Sequence, residues 1–552
     1  MTGLPDEPIL ATQAIQGLAL PGFRKRSQTL IYVRHARSES AVADIQAFLR
    51  TLRPRLANAA ATLQDRRAGG PRRPGDPGMP ARRAPLVGIA FTWPGLVCLA
   101  PSARRMAGAA FRLGMGARSG LLGDPVDADD PHHHGRWSVG GDDTQPDFMI
   151  VVAGDERAAV DPLANELRAR LAPIAARVWH DDGDRLGTGE RGHEHFGFVD
   201  GISQPGIRGV AGPLPADFLT RQRLATSGGP EAARVGYPGE DLVWPGEFVL
   251  GYPRTGPDPL RPGPLATATP DWTRDGAFLV LRRLNQDVGG FWAAMRAEAE
   301  RLSRRPGFED LTPVGLAARL MGRWPSGAAL ARTGPVAPPA DARGLGDNEF
   351  ADNDFLYDAP TPPRRFACDA GQAALQAEAQ ALARRHPAPA DPAGLRCPLA
   401  AHIRKVNPRD AATDMGAPTA HGERRMLRVG LPFGPPHPAC AAASDTHAPP
   451  AHAADDGVDR GLLFLSIQAS IEEQFEFVQA RWMNDPLRPR GPGGRDLVAG
   501  SAPDAPDGRR ACTLVGRGLA TAEVSAAAFV HPTGGAYFFV PSLRAIDEVL
   551  AR

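Results

Sequence analysis

The stretch QTLIYVRHARSESAVADIQAFLRTL, residues 28–52, joins a short apolar run to a longer run with helical spacing. Residues 28–36 have the length and the β-branched and aromatic content of a buried strand. From residue 38 onward the apolar side chains recur three or four positions apart, which indicates an amphipathic helix, and Ser38 stands at the expected N-cap. The stretch therefore predicts a strand followed by a helix that covers one face of a sheet.

Three later stretches repeat this design. Their strand-like runs occupy residues 146–156, 276–284 and 461–470, and an amphipathic run of roughly 15–20 residues follows each of them. Further strands are predicted from the apolar runs at residues 86–96, 426–434 and 536–543. Since strands and helices alternate in two comparable halves, we predict an α+β protein made of two sheets with helices packed on them, and the similarity of the halves suggests an internal duplication.

Four segments show neither the strand period nor the helix period. They are rich in Pro, Ala, Gly and Arg and cover residues 53–84, 383–394, 435–459 and 487–510. A segment of this composition cannot bury enough apolar surface to order itself. We therefore interpret the four segments as loops or insertions.

The overall composition excludes several classes of function. Lys and Arg number 63 and Asp and Glu 62, so the net charge of +1 gives no global attraction to nucleic acid or to an anionic membrane. The five cysteines include no C-x-x-C pair, so neither a structural zinc site nor a disulfide framework is indicated. No run approaches the roughly 18 apolar residues of a membrane span. We expect a soluble, cytoplasmic protein with neither nucleic acid nor membrane as a partner.

Three segments combine polar side chains with apolar neighbours: HFGFVDGISQPGI (residues 195–207), CPLAAHIRKVNPRD (397–410) and RMLRVGLPFG (425–434). In the first, glycines on both sides of Asp200 predict a tight turn that presents the carboxylate to apolar surroundings, a setting suited to proton transfer. The plainer interpretation is a carboxylate that binds the amides of its own turn.

The other two segments each offer one candidate side chain. His402 follows an apolar run and precedes several cations. A neutral imidazole in an apolar pocket suits the axial position of an iron porphyrin, whose propionates the cations could pair with, although a buried structural histidine has the same surroundings. Arg428 lies on a predicted strand two residues before Gly430, where it could face a site or extend to solvent.

Together the three segments resemble the signature motifs of the dye-decolourising peroxidases. The GxxDG motif of that family is matched by Gly-Phe-Val-Asp-Gly at residues 197–201, the haem-ligand segment by CPLAAHIRKVNPR at 397–409, and the distal arginine strand by RVGLPFG at 428–434. Similar family segments follow in the expected order along nearly the whole chain: IQGLALPGF, FRLGMGARSGLLGDP, GEFVLGYP, FLVLRRLNQDVGGFW, EEQFEFVQARWMND and GGAYFFVPSL. The Pro- and Ala-rich segments fall between them, as in a long member of the family with insertions.

The resemblance implies a fold and its division. The expected fold is α+β, with two ferredoxin-like halves of the dimeric α+β barrel type and the haem in the C-terminal half. Residues 1–240 would form the N-terminal half, which carries the GxxDG loop. Residues 241–552 would form the C-terminal half, which carries the proximal histidine and the distal arginine.

The resemblance also implies an activity. The cofactor would be haem b, iron protoporphyrin IX, and the enzyme would reduce hydrogen peroxide through a ferryl intermediate and oxidise dyes, phenolics or other one-electron donors. His402 would be the axial iron ligand, Asp200 the distal acid-base residue and Arg428 its electrostatic partner. A homo-oligomer is left open.

Four further residues are assigned to the haem site by the resemblance. Arg409 would meet a haem propionate. By analogy Leu462 and Phe464 would line the distal pocket, and a carboxylate such as Glu472 would accept a hydrogen bond from the far nitrogen of His402. Surface aromatic residues could pass electrons to bulky donors, and the candidates are Trp244, Trp272, Trp324, Trp482 and Tyr357.

Two other functions compete with this one. The first is a haem-binding protein for storage, sensing or transfer, with incidental peroxidase activity. Asp200 and Arg428 argue against it, because a carrier needs no distal acid-base pair. The second is a non-haem metal site built from His193, His195 and Asp200, or from the histidine run at residues 132–134.

Overall fold

A closed barrel of eight antiparallel strands is the centre of the computed structural model. The structure describes residues 7–36, 38–68, 84–187, 192–212, 218–220, 236, 239, 241–335, 343–363, 373–416, 422–438, 456–503 and 507–552. The strands are β1 (Ser27–His35), β2 (Leu86–Phe91), β3 (Phe148–Gly154), β4 (Ala175–Asp184), β5 (Gly206–Ile207), β6 (Leu242–Val243), β7 (Pro253–Thr255), β8 (Pro262–Leu265), β9 (Ala277–Gln286), β10 (Leu427–Phe433), β11 (Gly461–Gln468), β12 (Arg510–Val515), β13 (Thr521–Ala526) and β14 (Val530–Val540).

Helices pack outside the barrel and form a second layer in the C-terminal half. The α-helices are α1 (Glu39–Leu52), α2 (Ala59–Ala68), α3 (Trp93–Leu99), α4 (Ala109–Leu113), α5 (Ser119–Leu122), α6 (Arg157–Leu171), α7 (Val288–Ser303), α8 (Pro313–Met321), α9 (Leu330–Thr333), α10 (Arg343–Asp347), α11 (Glu349–Asn353), α12 (Ala373–Arg385), α13 (His402–Val406) and α14 (Leu543–Ala545). Two π-helical segments, Ile471–Glu476 and Val478–Met483, follow β11, and a third, Ile546–Leu550, follows α14. None of the described helices has the length and apolar character needed to cross a membrane.

The strand order confirms two ferredoxin-like halves. The N-terminal sheet runs β4-β1-β3-β2 and the C-terminal sheet runs β14-β9-β11-β10, so both have the order fourth, first, third, second. The sheets meet edge to edge where Gly183 opposes Phe433 and where Phe91 opposes Phe539, and these two contacts close the barrel. The α+β prediction is therefore confirmed. The boundary between residues 240 and 241 lies between the two strand sets and stays a prediction.

Strand β1 shows why the apolar runs form this barrel. Leu30 and Tyr32 belong to the core inside the barrel, whereas Ile31 and Val33 pack with the outer helices, and all four are at most 1% exposed. Successive side chains of a strand point to opposite faces, so a strand that is buried on both faces needs a continuous apolar run. Each such side chain contributes roughly 1.5–3 kcal/mol of burial free energy. The predicted cap at Ser38 is confirmed, since its hydroxyl accepts the Ala41 N–H.

Two elements differ from the sequence-based expectation. The helix predicted to continue to residue 178 ends at Leu171, and β4 begins at Ala175. Strand β4 is only partly buried and carries many polar side chains, so its composition gives no apolar period. Helix α2 lies inside the segment interpreted as a loop. Residues 69–83 and 439–455 of the predicted insertions lie outside the described residues.

Candidate active site

One cavity brings the three candidate segments together between the barrel and the C-terminal helical layer. Its lining includes Asp200, His402 and Arg428, which are separated by more than 200 positions along the chain. The centres of water molecules can occupy about 250 Å³ of it, roughly twenty times the space that one water needs. Three more of the predicted site residues line it, namely Arg409, Leu462 and Phe464.

His402 enters the cavity from the short helix α13. Its Nδ1 lies 2.7 Å from Oδ2 of Asp496, which is fully buried, and the N–H groups of Val498 and Ala499 donate to Oδ1 of the same carboxylate. Burial raises the pKa of Asp496, but His402 and the two amides outweigh burial and hold the pKa below its usual value. An ionised Asp496 keeps the proton on Nδ1, so the lone pair of Nε2 is available to a metal.

Glu472 does not hold His402, so this prediction is wrong. Its Oε1 accepts the N–H of Ala110 at 2.8 Å, where α4 begins, and Glu472 is absent from the cavity lining. The π-helical segment that follows β11 directs Glu472 toward the N-terminal half. The carboxylate partner, Asp496, lies 94 positions from His402, in a loop whose spacing gives no signal in the sequence.

Asp200 sits at the end of a tight turn and reaches into the cavity. Gly197 and Gly201 have φ values of 96° and 75°, the left-handed conformation that favours glycine. Oδ1 of Asp200 accepts the N–H of Gly201 at 2.6 Å, so the carboxylate does bind an amide of its own turn. The side chain is exposed to the cavity, and the expectation of wholly apolar surroundings is wrong.

Oδ2 of Asp200 faces strand β10. It lies 2.6 Å from the position that a Cβ at residue 430 would occupy, so only glycine leaves room for the carboxylate there. Gly430 is two residues from Arg428, and residues two apart lie on the same face of a strand. The turn therefore places the Asp200 carboxylate against the strand that carries Arg428.

A buried glutamate shapes the turn before Asp200. The two carboxylate oxygens of Glu194 accept the N–H groups of Phe196 and Phe198, each at 2.9 Å, and Nε2 of Gln286 donates to Oε2 at 2.5 Å. The ring of Phe196 stacks on Phe291 of α7, with 4.3 Å between centroids. The sequence analysis missed Glu194, although its position directly before the motif was the available signal.

Arg428 is half-buried on β10, opposite Ser466 of β11. Its Nη2 donates to the carbonyl of Ser203, and the amide of Gln204 bonds both its main-chain groups. Burial lowers the pKa of Arg428, while the Asp200 carboxylate acts in the opposite direction. A guanidinium keeps its charge under these conditions. The side chain lines the cavity and is not an edge arginine that extends to the outer surface.

Arg409 reaches the cavity but is already held by main-chain oxygens. Its Nη1 donates to the carbonyls of Asn353 and Phe355, both at 2.9 Å, and its guanidinium lies 3.7 Å from the ring centroid of Phe355. A contact with a propionate would add to these bonds. Leu462 and Phe464 lie on β11, half-buried in the cavity wall.

The described residues do not form the alternative non-haem metal site. Nδ1 of His193 lies 2.9 Å from the Gly197 carbonyl and Nε2 of His195 lies 2.8 Å from the Phe433 carbonyl, so each ring donates to the main chain. Within the described ranges, no three His, Cys, Asp or Glu side chains are grouped so that they could hold a metal ion.

The aromatic residues considered as surface electron carriers are not at the surface. Four of them are at most 4% exposed, and they are Trp244, Trp324, Trp482 and Tyr357. Trp272 is partly buried and donates its indole N–H to Ser102. Electron transfer through any of them stays a prediction.

Comparison with known proteins gives the same family as the sequence motifs. The structure of an ancestral D-type dye-decolourising peroxidase superimposes with a TM-score of 0.71 at 30% identity, over 99% of this chain and 100% of the other. The chain belongs to the dye-decolourising peroxidase family. It is a haem-dependent peroxidase, an oxidoreductase. No family model matches the chain.

Two further relatives of this peroxidase are similar over most of their length. The multifunctional dye peroxidase DyP2 of Amycolatopsis is 29% identical over 467 residues, 83% of this chain and 81% of the relative. The structure of a dye-decolourising peroxidase in complex with 2,6-dimethoxyphenol is 25% identical, with a TM-score of 0.66, and covers 99% of this chain and 100% of that one.

The peroxidase should lose stability as Glu194 ionises. Burial, opposed by the hydrogen bonds that the carboxylate accepts, raises the pKa of Glu194 from 4.5 to about 7. Because the unfolded chain then releases this proton first, stability falls as pH rises from 4.5 to about 7, by about 3 kcal/mol. We expect Glu194→Gln to flatten this part of the pH dependence by that amount, measured by denaturant unfolding of the haem-free protein at several pH values.

The matched control is Glu300→Gln, since Glu300 is an exposed residue of α7. It should leave the pH dependence of stability as in wild type. Glu194→Gln also loses one acceptor for the turn amides, so its stability at a single pH will be lower. Equal pH dependence in the wild type and in Glu194→Gln would contradict the assignment.

Proposed function

We propose that this chain uses haem b to reduce hydrogen peroxide and to oxidise dyes and phenols, with His402 as the axial iron ligand, Asp200 as the distal acid-base group and Arg428 as its electrostatic partner. The observation that carries the proposal is one cavity lined both by a histidine bonded to a buried carboxylate and by a carboxylate beside a cation. A haem peroxidase needs both pairs.

The residues present fit a haem group. The Asp496 carboxylate fixes His402 with Nε2 available to iron, which is the usual support of a metal-bound imidazole. The cavity wall contains apolar side chains such as Leu462, Phe464 and Val406, which suit the porphyrin faces. The buried Nε of Arg424, another lining residue, has no hydrogen-bond partner among the described residues, so a cation is available to an anionic group.

The reaction needs a group that moves one proton. Hydrogen peroxide must lose a proton from one oxygen and gain a proton at the other before its O–O bond can break heterolytically. When bound, the haem supplies the electrons for that cleavage. Asp200 can hold the proton at Oδ2, because Oδ1 is already bonded to the Gly201 amide and Oδ2 faces the cavity side of β10.

Arg428 supplies a fixed positive charge beside this carboxylate. Its guanidinium is anchored to the Ser203 carbonyl and its main chain to Gln204, so the charge is in place before peroxide arrives. A preorganised charge of this kind stabilises negative charge that develops on a departing oxygen. His402 acts from the helical side, where ionised Asp496 increases the basicity of its ring.

The reducing substrates are proposed from a relative. A dye-decolourising peroxidase of similar fold has been seen in complex with 2,6-dimethoxyphenol. We infer that phenols and dyes are also the donors here.

The test is peroxide-dependent oxidation of 2,6-dimethoxyphenol and of an anthraquinone dye by the haem-loaded protein between pH 3 and 8. We expect turnover with a maximum on the acid side, because an Asp carboxyl has an ordinary pKa about 2.5 units below that of His. A maximum above neutral pH would contradict Asp200 as the base. Tight haem binding without turnover would instead indicate a storage, sensing or transfer protein.

A further inference from the structure

One buried side chain joins the segment after the GxxDG motif to strand β10. Gln204 is 3% exposed, its Nε2 donates to the carbonyl of Arg428 at 2.9 Å, and its Oε1 accepts the Arg428 N–H at 3.1 Å. A single amide therefore pairs with both main-chain polar groups of the residue that carries the positive charge of the cavity.

Strand β10 has no neighbouring strand at this point. On one side it pairs with β11, where Arg428 opposes Ser466, and on the other it touches β4 only at Phe433. The main-chain N–H and C=O of one residue in an antiparallel strand point to the same side. Those of Arg428 point away from β11, into a place where a strand would otherwise pair, and Gln204 occupies that place.

The same contact fixes the distance between the two polar side chains of the cavity. Ser203 accepts a hydrogen bond from the Arg428 guanidinium, and Asp200 packs against Gly430, two residues farther along β10. Residues 200–204 thus meet the strand in one register, and the Gln204 amide is the only one of these contacts that binds the main chain of Arg428 among the described residues. A shift of the turn would move the Asp200 carboxylate relative to the guanidinium.

We propose that Gln204 is a positioning residue for the peroxide reaction, which holds the Asp200 turn in register with Arg428. This inference rests on the proposed function and deepens it. Gln204 acts through the other two residues, because its amide is used up by the Arg428 main chain. Its loss should therefore affect the step that needs Asp200 and Arg428 together and leave the reduction by phenols unchanged.

The test compares Gln204→Met with Gln16→Met. Gln16 is an ideal control, because it is also buried and makes the same kind of bonds, donating to the carbonyls of Ile89 and Pro541 and accepting the Ile89 N–H, but outside the cavity lining. We expect both variants to lower the unfolding temperature. Only Gln204→Met should slow the reaction of the haem-loaded protein with hydrogen peroxide, by about 10- to 100-fold.

A second readout does not involve activity. In the haem-free protein, amide hydrogen exchange at Arg428 should be faster in Gln204→Met than in wild type, and unchanged in Gln16→Met. This measurement reports directly on the bond that holds the strand to the turn.

The conservative variant Gln204→Glu provides a pH-dependent rescue. A protonated carboxyl has one O–H donor and one acceptor oxygen, so it can replace both bonds of the amide, whereas the ionised form cannot donate to the Arg428 carbonyl. We expect its peroxide rate relative to wild type to be nearly restored near pH 4 and to fall as the pH rises toward about 7. In Gln204→Met the deficit should not depend on pH.

The possible results separate the two proposals. If the wild type reacts with peroxide and both Gln204 variants react as fast as Gln16→Met at every pH, the inference about Gln204 is overturned and the proposed function stands. If the wild type binds haem and does not react with peroxide, the proposed function is overturned, and the inference with it.

Discussion

Replacement of Asp200 by asparagine is expected to slow the reaction of the haem-loaded protein with hydrogen peroxide by about 10²- to 10⁴-fold, the usual contribution of a positioned general acid-base group. Asparagine has the same size and its amide oxygen can still accept the Gly201 N–H, so the turn should keep its shape. The amide cannot take up a proton at the oxygen that faces β10. Stopped-flow absorption at the Soret band measures the rate constant.

The control for this variant is Asp258→Asn. Asp258 is half exposed, forms an exposed ion pair with Arg261 and lies outside the cavity lining, so its replacement should leave the rate as in wild type. Haem binding should be the same in wild type and in both variants. A peroxide rate for Asp200→Asn that matches the rate for Asp258→Asn would remove Asp200 from the mechanism.

Replacement of His402 by alanine is expected to abolish specific haem binding. The side chain is the only imidazole in the lining of the cavity, and Asp496 would be left as a buried carboxylate without its strongest partner. Loss of an outer partner of a metal ligand costs about 10- to 100-fold in affinity, and loss of the ligand itself should cost more. Haemin titration followed by the Soret absorption should show weak binding with an altered spectrum.

Two further variants give this result its meaning. Asp496→Asn should reduce haem affinity less than His402→Ala, because an amide oxygen can still accept the Nδ1 proton. His180→Ala changes a partly exposed histidine of β4, outside the cavity lining, and should bind haem as wild type does. A His402→Ala protein with the affinity and the spectrum of the wild type would show that iron is held elsewhere.

Sequence patterns predicted the fold well wherever both faces of a strand are buried. The runs that became β1, β3, β9 and β11 are continuous in apolar residues, because one face lies inside the barrel and the other lies under helices. Strand β4 was missed because its polar side chains, such as His180 and Asp182, break this pattern. The closure of the barrel depends on contacts between distant edges, which no local pattern records.

The candidate site was predictable only in part. The motifs located Asp200, His402 and Arg428, and the structure places all three on one cavity. The partner of His402 was not predictable, because Asp496 reaches it from a loop 94 positions away. Glu194 and Gln204 were passed over for a different reason. They lie next to the motif, but their contribution is a set of main-chain hydrogen bonds that only coordinates reveal.

The central claim is that this cavity holds a haem group that reacts with peroxide through the groups around it. The most direct measurement is the absorption spectrum of the wild-type protein loaded with haemin, before and after one equivalent of hydrogen peroxide and again after addition of a phenol. We predict one haem per chain, a Soret band that changes with peroxide, and a return to the first spectrum with the phenol. Bound haem whose spectrum does not respond to peroxide, or no stoichiometric uptake of haem, would contradict the account.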